Sequence, residues 1–306
     1  MTAEVQALEA TSVAGLVPKR DPDGHKGTFG TVICICGSLD YAGAALLSGT
    51  AAARAGAGLV GLAVPASLQD LFAGRVPELI TIALPQTRDG ADIDAMESGH
   101  ALKPRSADAL VFGSGIEESE GYGEFLFGLV QREGAPMVVD GGGLNMLAGY
   151  DNWWNERRRP IVLTPHPGEF GRLTGTAVGA GDDERADRAQ EAATKYGAVV
   201  VLKGARTVVA DPSGEIARAS FANAALATAG SGDVLAGTIG SLLAQGVAPY
   251  DAARLGVFLH GRAGELASQR IGDAGLLAGD LTGALPIARR ELVDRVATKK
   301  VGFTRG

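Results

Sequence analysis

The feature that most constrains this chain is a repeated alternation of short aliphatic runs with segments of helical period. Thr31 to Cys36, Leu59 to Val64, Leu79 to Leu84, Ala109 to Phe112, Pro136 to Val139, Ile161 to Thr164 and Ala198 to Leu202 read as strands, most of them closed by Gly, Pro or Asp. Between and after them, helices are expected over Tyr41 to Gly56, Leu68 to Phe72, Gly121 to Arg132, Asp182 to Tyr196, Pro249 to Arg270 and Gly279 to Val296, the last bent at Pro286. Strand then helix, repeated at this length, implies βαβ units and a mostly parallel sheet covered by helices, with any ligand site at the carboxyl ends of the strands. Val208 to Ala210 and Glu215 to Ala219, joined by Asp211-Pro212-Ser213-Gly214, read as a hairpin or meander beside the parallel part.

Composition supports the same architecture. Hydrophobic residues make up 46% of the chain and aromatics only 5%, with 45 glycines, so the core is expected to be aliphatic, close-packed and rich in tight turns. No compositional break divides the 306 residues, which suggests one domain over 18–296, a flexible leader over 1–17 and a flexible basic tail over 297–306. A net charge of −7 argues against a general nucleic-acid surface. The charged helix Asp182 to Tyr196 reads as a solvated face. Cys34 and Cys36 point to one face of a strand as buried thiols, without zinc or thioredoxin spacing. No signal-peptide pattern or membrane span is visible, so a soluble cytoplasmic protein is expected.

Five segments carry chemistry. In Thr228-Ala229-Gly230-Ser231-Gly232-Asp233, two glycines free the backbone to adopt positive φ at the start of a helix whose Leu235, Ile239 and Leu242 share one face. Such a start aims unpaired amides at an anion and sets the Asp233 carboxylate beside it, a base next to an anion hole. Asp233 as a plain helix N-cap is the alternative. Gly113-Ser114-Gly115, Asp140-Gly141-Gly142-Gly143, Pro165-His166-Pro167-Gly168 and Lys203-Gly204-Ala205-Arg206-Thr207 each follow a strand. His166, fixed by two prolines, either meets a substrate or caps a turn with Glu169. Lys203 and Thr207 flank a turn that could contact nucleotide phosphates. In a parallel sheet these loops converge on one edge, and together they read as a phosphate-handling site.

His25-Lys26-Gly27-Thr28-Phe29-Gly30, the small-residue helix from Gly43, Thr164-Pro165-His166-Pro167-Gly168-Glu169, Leu202 to Thr207 and Ala227 to Asp233 together resemble the ADP/ATP-dependent NAD(P)H-hydrate dehydratases of the ribokinase-like superfamily, from about residue 18 to 296. The resemblance implies a three-layer α/β/α fold. It also implies repair of NADH or NADPH hydrated on the nicotinamide ring: ADP or ATP phosphorylates the ring hydroxyl of the S epimer, and phosphate then leaves. By position, Asp233 matches the family's base and Gly230, Ser231 and Gly232 its anion hole. Ala44, Gly115 and His166, with Asp233, match substrate contacts, and Lys203, Gly204, Ala205, Arg206, Thr207 and Gly232 match nucleotide contacts. The resemblance further implies Mg²⁺, a homo-oligomer, often a tetramer, and a separate NAD(P)H-hydrate epimerase, for whose domain the chain leaves no room. Many relatives carry a second acidic residue two positions after Asp140, where this chain has Gly142, so metal ligands are left unassigned. A small-molecule kinase of the same superfamily, acting on a vitamin-precursor alcohol, and a non-catalytic nucleotide-binding protein are the competing readings.

Overall fold

Ten strands form one sheet in this computed structural model, which describes residues 4–103 and 105–303, the side chains of 297–303 excepted. In chain order the strands are β1 (Val5–Leu8), β2 (Thr31–Ile35), β3 (Leu59–Pro65), β4 (Ile80–Leu84), β5 (Ala109–Phe112), β6 (Met137–Val139), β7 (Ile161–Leu163), β8 (Val199–Leu202), β9 (Val208–Ala210) and β10 (Ile216–Ala219). Their order across the sheet is β1-β10-β9-β8-β7-β6-β5-β2-β3-β4. All seven strands from β2 to β8 run parallel, as the alternation requires. β9 and β10 form the expected antiparallel addition.

The helices are α1 (Ala10–Val13), α2 (Ala42–Ala55), α3 (Gln69–Phe72), α4 (Ala95–Leu102), α5 (Glu120–Val130), α6 (Gly142–Ala148), α7 (Pro167–Thr174), α8 (Asp182–Tyr196), α9 (Ser231–Ala244), α10 (Pro249–Ile271) and α11 (Ala278–Phe303), with Pro286 inside α11. Side-chain alternation along the strands assigns each residue to one of two cores. Val32, Cys34, Val60, Leu62, Val111 and Val138 pack with α2, α9, α10 and α11. Ile33, Ile35, Leu110, Phe112, Met137 and Leu163 face the opposite way, against α4 to α8. This is the three-layer α/β/α sandwich, and its strands are apolar throughout because both faces are covered. Cys34 and Cys36 are buried free thiols in the first core, and burial pushes the Cys36 thiol well up.

Three expectations need correction. The leader is not a free segment: β1 pairs in parallel with β10, Leu8 opposite Ala219, and Leu8 and Val13 are fully buried. Its pattern is only four residues of mixed polarity because β1 is an edge strand with one face in the core. At the other end, α11 continues as backbone helix to Phe303, into the expected flexible tail, of which 304–306 lie outside the described residues. The Asp140 glycines, read as a loop, start α6, and α4 follows the polar stretch Gln86 to Asp94 with Asp94 as its cap.

Candidate active site

The carboxyl ends of β5, β6, β7 and β8 are neighbours in the sheet, so Gly113-Ser114-Gly115, Asp140, Pro165-His166-Pro167-Gly168 and Lys203 to Thr207 reach one edge together. Close approach between the first two loops is built into Gly113, at φ 112°, where an added Cβ would lie 2.0 Å from the Asp140 carbonyl oxygen. The buried Asp140 carboxylate then accepts from the Ser114 hydroxyl at 3.1 Å, the Thr164 hydroxyl at 2.7 Å and the Lys203 ammonium at 2.8 Å. Lys203 also lies 3.6 Å from Glu169. Burial by itself would lower the Lys203 pKa; Asp140 and Glu169 outweigh it and hold the ammonium charged.

α9 points its N-terminus at this network. Its N-cap is Gly230, at φ 86°, and Asp233 is its third residue, so the carboxylate is not spent as an N-cap. Only Gly230 of the two glycines takes positive φ. Gly232 is helical, and an added Cβ there would sit 3.2 Å from the Lys203 ammonium nitrogen, so its role is to let Lys203 approach. The Ser231 amide donates to the Thr228 carbonyl at 3.3 Å and that of Val234 to the Gly230 carbonyl at 3.2 Å. Among the described residues the amides of Gly230, Gly232 and Asp233 find no protein acceptor, as a helix start leaves them. Burial, then the charge of Asp140, pushes the Asp233 pKa up to about 7, while Lys203 and the Ser114 hydroxyl pull the other way.

A cavity of about 770 Å³ opens beside this helix start, walled by the β8–β9 turn, the segment 219–228 and α10. Lys203, Gly204, Ala205, Thr207, Ser231, Gly232 and His166 border it. Arg206 does not: its guanidinium turns outward to Asp182 at 3.2 Å. Ala44 and Gly115 lie elsewhere, in contact with each other, since a Cβ on Gly115 would stand 2.5 Å from that of Ala44. One turn further along α2, Leu47 borders Gly230, as does the Asp233 carboxylate. Ser231 and Gly232 line the cavity, and Asp233 follows them on the first turn of α9. A second cavity of about 810 Å³, between α1, α10 and α11, contains none of these loops, and on its wall Arg262 pairs with both Glu265 and Glu291.

His166 takes the capping alternative. Its Nδ1 accepts from the Gly168 and Glu169 amides at 3.0 and 3.3 Å, and its own amide donates to Glu169 Oε2 at 2.8 Å, a reciprocal capping box at the start of α7. It borders the cavity while doing so. Several supporting residues carry no local signal in the sequence. Arg185, on the helix read as a solvated face, is buried and donates to the Leu202 and Lys203 carbonyls at 3.3 and 2.9 Å, fixing the turn that presents Lys203. His260 of α10 reaches Ser231, and Ser48 of α2 donates to the Asp233 carbonyl at 3.1 Å. Ser114 and Thr164 were within named segments, but their convergence on Asp140 depends on strand register.

Comparison with known proteins decides the lineage. The family model for NAD(P)H-hydrate dehydratase matches residues 32–286. The chain belongs to the NAD(P)H-hydrate dehydratase family. The bifunctional NAD(P)H-hydrate repair enzyme Nnr of Moorella thermoacetica is 41% identical over 95% of this chain and 55% of its own length. The chain spans about half the length of the bifunctional relatives it matches. The ADP-dependent (S)-NAD(P)H-hydrate dehydratase of Neisseria meningitidis is 37% identical over 90% of this chain and 89% of its own. Among solved structures, the ADP/ATP-dependent NAD(P)H-hydrate dehydratase of Bacillus subtilis, co-crystallised with ATP/Mg²⁺, matches with a TM-score of 0.81 and 33% identity, covering 94% of this chain and 99% of that one. The dehydratase family's ribokinase-like fold is the three-layer sandwich described above.

Proposed function

We propose that this chain dehydrates the S epimer of hydrated NADH and NADPH at the expense of a nucleotide, giving AMP from ADP or ADP from ATP. The observation that carries the reading is Asp233: a carboxylate with its pKa pushed up to about 7, set among unpaired amides at the start of α9, directly after Ser231 and Gly232 on the wall of the 770 Å³ cavity. A base must ionise near the working pH and lie next to the proton it takes. In this reading Asp233 removes the ring hydroxyl proton, the oxygen attacks the terminal phosphorus of the nucleotide, and the amides of Gly230 and Gly232 with Ser231 hold the charge gathering on the phosphoryl oxygens. The shortened nucleotide leaves with its own charge partners, Lys203 and the Gly204-Ala205-Thr207 turn. The ring nitrogen's lone pair then expels phosphate from the phosphorylated carbon, and loss of a proton to solvent from the neighbouring ring carbon re-forms the double bond of the dihydronicotinamide; phosphate leaves where hydroxide would not because it is a far better leaving group.

The proposed substrate contacts are Ala44, Gly115, His166 and Asp233. The nucleotide contacts are Lys203, Gly204, Ala205, Thr207 and Gly232, with Arg206 directed away. Among the described residues no group of three or more His, Cys, Asp or Glu forms a metal cage, and Lys203 already pairs with both Asp140 and Glu169. The described residues therefore make no three-ligand cage for Mg²⁺, and its protein ligands are left unassigned. Mg²⁺ is proposed to arrive on the nucleotide phosphates, coordinated by them and by water. A separate NAD(P)H-hydrate epimerase, a homo-oligomeric assembly such as a tetramer, and a cytoplasmic location complete the proposal. No helix among the described residues is long and apolar enough to cross a membrane.

The test is the absorbance of reduced nicotinamide after mixing purified protein with hydrated NADH, Mg²⁺ and either ADP or ATP. Recovery of the dihydropyridine band only with nucleotide is the expected result, and it names the donor. No recovery with either nucleotide, on protein that binds both, would overturn the reading in favour of a small-molecule kinase.

A further inference from the structure

His260 stands behind the start of α9. It lies on α10, is buried, and its Nε2 is 3.0 Å from the Ser231 hydroxyl oxygen and 3.0 Å from the Ser231 carbonyl oxygen. The two contacts together point to the atom that carries the proton. A carbonyl oxygen can only accept, so an unprotonated Nε2 at 3.0 Å would set two lone pairs against each other. Nε2 therefore bears the hydrogen and shares it, in a three-centre bond, between the carbonyl and hydroxyl oxygens of Ser231. The Ser231 hydroxyl is then an acceptor towards His260, and its own proton remains free.

We propose that His260 is a positioning residue which holds the Ser231 hydroxyl by its oxygen and so turns its proton towards the anion bound at the start of α9. Ser231 and His260 both border the 770 Å³ cavity, and the Ser231 amide is engaged by Thr228. The hydroxyl is thus the group through which Ser231 reaches a phosphoryl oxygen, beside the amides of Gly232 and Asp233. With the opposite tautomer the hydroxyl proton would be consumed by His260 and the site would lose a donor. Burial, the backbone contact and the nearby Lys203 ammonium act on His260 together, and burial dominates, pulling its pKa down to about 4; the ring is neutral at pH 7 and adds no positive charge to the site.

The catalytic part of this proposal rests on the phosphoryl-transfer reading; the tautomer does not, and the two are tested separately. In protein labelled with ¹⁵N histidine, the His260 resonances are assigned by their loss in His260→Gln. At pH 7 Nε2 is expected to show the shift and attached proton of a protonated ring nitrogen, and Nδ1 the shift of an unprotonated one. An unprotonated Nε2 overturns the proposal whatever the protein catalyses. In the hydrated-NADH assay, His260→Leu is expected to lower kcat about tenfold with the nucleotide KM within about twofold, consistent with loss of an aligned donor. His260→Gln, whose side-chain amide can supply an N–H near the same place, is expected to stay within about threefold of the unsubstituted protein. Ser231→Ala is expected to lose about as much as His260→Leu, and the double variant no more than either alone. Additive losses, or equal losses in the Gln and Leu variants with folding intact by circular dichroism, would show that His260 acts otherwise. If His260→Leu does not fold, the Gln variant alone and combined with Ser231→Ala gives the same comparison.

Discussion

Asp233 is subject to opposed demands from folding and from chemistry. Burial and the neighbouring Asp140 charge raise its pKa from 3.8 to about 7. Between those values the folded chain holds a proton that the unfolded chain has lost, so stability falls as pH rises through this window and levels off above about 7. Asp233→Asn removes that penalty. It is expected to gain on the order of 2–4 kcal/mol at pH 8 and almost nothing at pH 4, read by denaturant unfolding at the two values. The same substitution is expected to abolish turnover while nucleotide binding persists, measured by calorimetry; surviving turnover would remove Asp233 as the base. Since the base works ionised, kcat/KM is expected to rise with pH about a midpoint near 7. Asp140→Asn removes a charge that opposes ionisation and releases Lys203 to favour it, so the midpoint is expected to move down; an unchanged or higher midpoint would contradict the assigned cause. The sequence marked Asp233 by its company of glycines, but not its elevated pKa, because Asp140 and Lys203 lie far from it along the chain and meet it only across β6 and β8.

At the scale of elements, the site depends on how closely loops can approach. Gly113 and Gly214 have nearly the same φ, 112° and 109°, but an added Cβ meets the Asp140 carbonyl oxygen at 2.0 Å in the first and nothing within 4 Å in the second. Gly214→Ala is expected to cost only backbone strain, about 1–2 kcal/mol, whereas Gly113→Ala is expected to cost at least about 3 kcal/mol and to disorder the β5 and β6 loops. Thermal unfolding of the pair checks this, and equal losses would mean that crowding at Gly113 is relieved at no cost. The Pro-His-Pro-Gly-Glu segment shows how a legible motif can retain two meanings. Its prolines excluded His166 from a regular interior, and the spacing to Glu169 allowed a cap. Only the bonds from Gly168 and Glu169 to Nδ1 show that one side chain both caps α7 and borders the cavity.

For the molecule as a whole, the first strand ties a distant edge of the sheet to the cavity. β1 pairs Leu8 with Ala219, and the Ser220 hydroxyl donates to the Leu8 carbonyl at 3.0 Å, while Ala219 and Phe221 line the cavity wall. Leu8 is fully buried, so Leu8→Ala is expected to cost about 2–5 kcal/mol. Loosening of this wall is also expected to weaken nucleotide binding more than it lowers kcat. Calorimetric titration with ADP beside turnover measurements checks the split; an unchanged affinity in the destabilised variant would separate β1 from the site.

The local pattern of this chain was enough to determine seven parallel strands, the antiparallel pair after them, the cover of helices and the sheet edge on which five loops meet. Each follows from period, turn chemistry and chain direction, which act over a few residues at a time. The tertiary structure decided what depends on register and depth: that Val5 to Leu8 completes the sheet, that Arg185 turns inward and Arg206 outward, that Lys203 binds Asp140 and Glu169, and that His260 stands behind Ser231. These are contacts between residues separated by as many as 211 positions, as Leu8 and Ala219 are. A sequence specifies such contacts only through the packed whole, because burial, and with it the strength of every charge and hydrogen bond in the site, exists only once the sheet and its helices have closed around it.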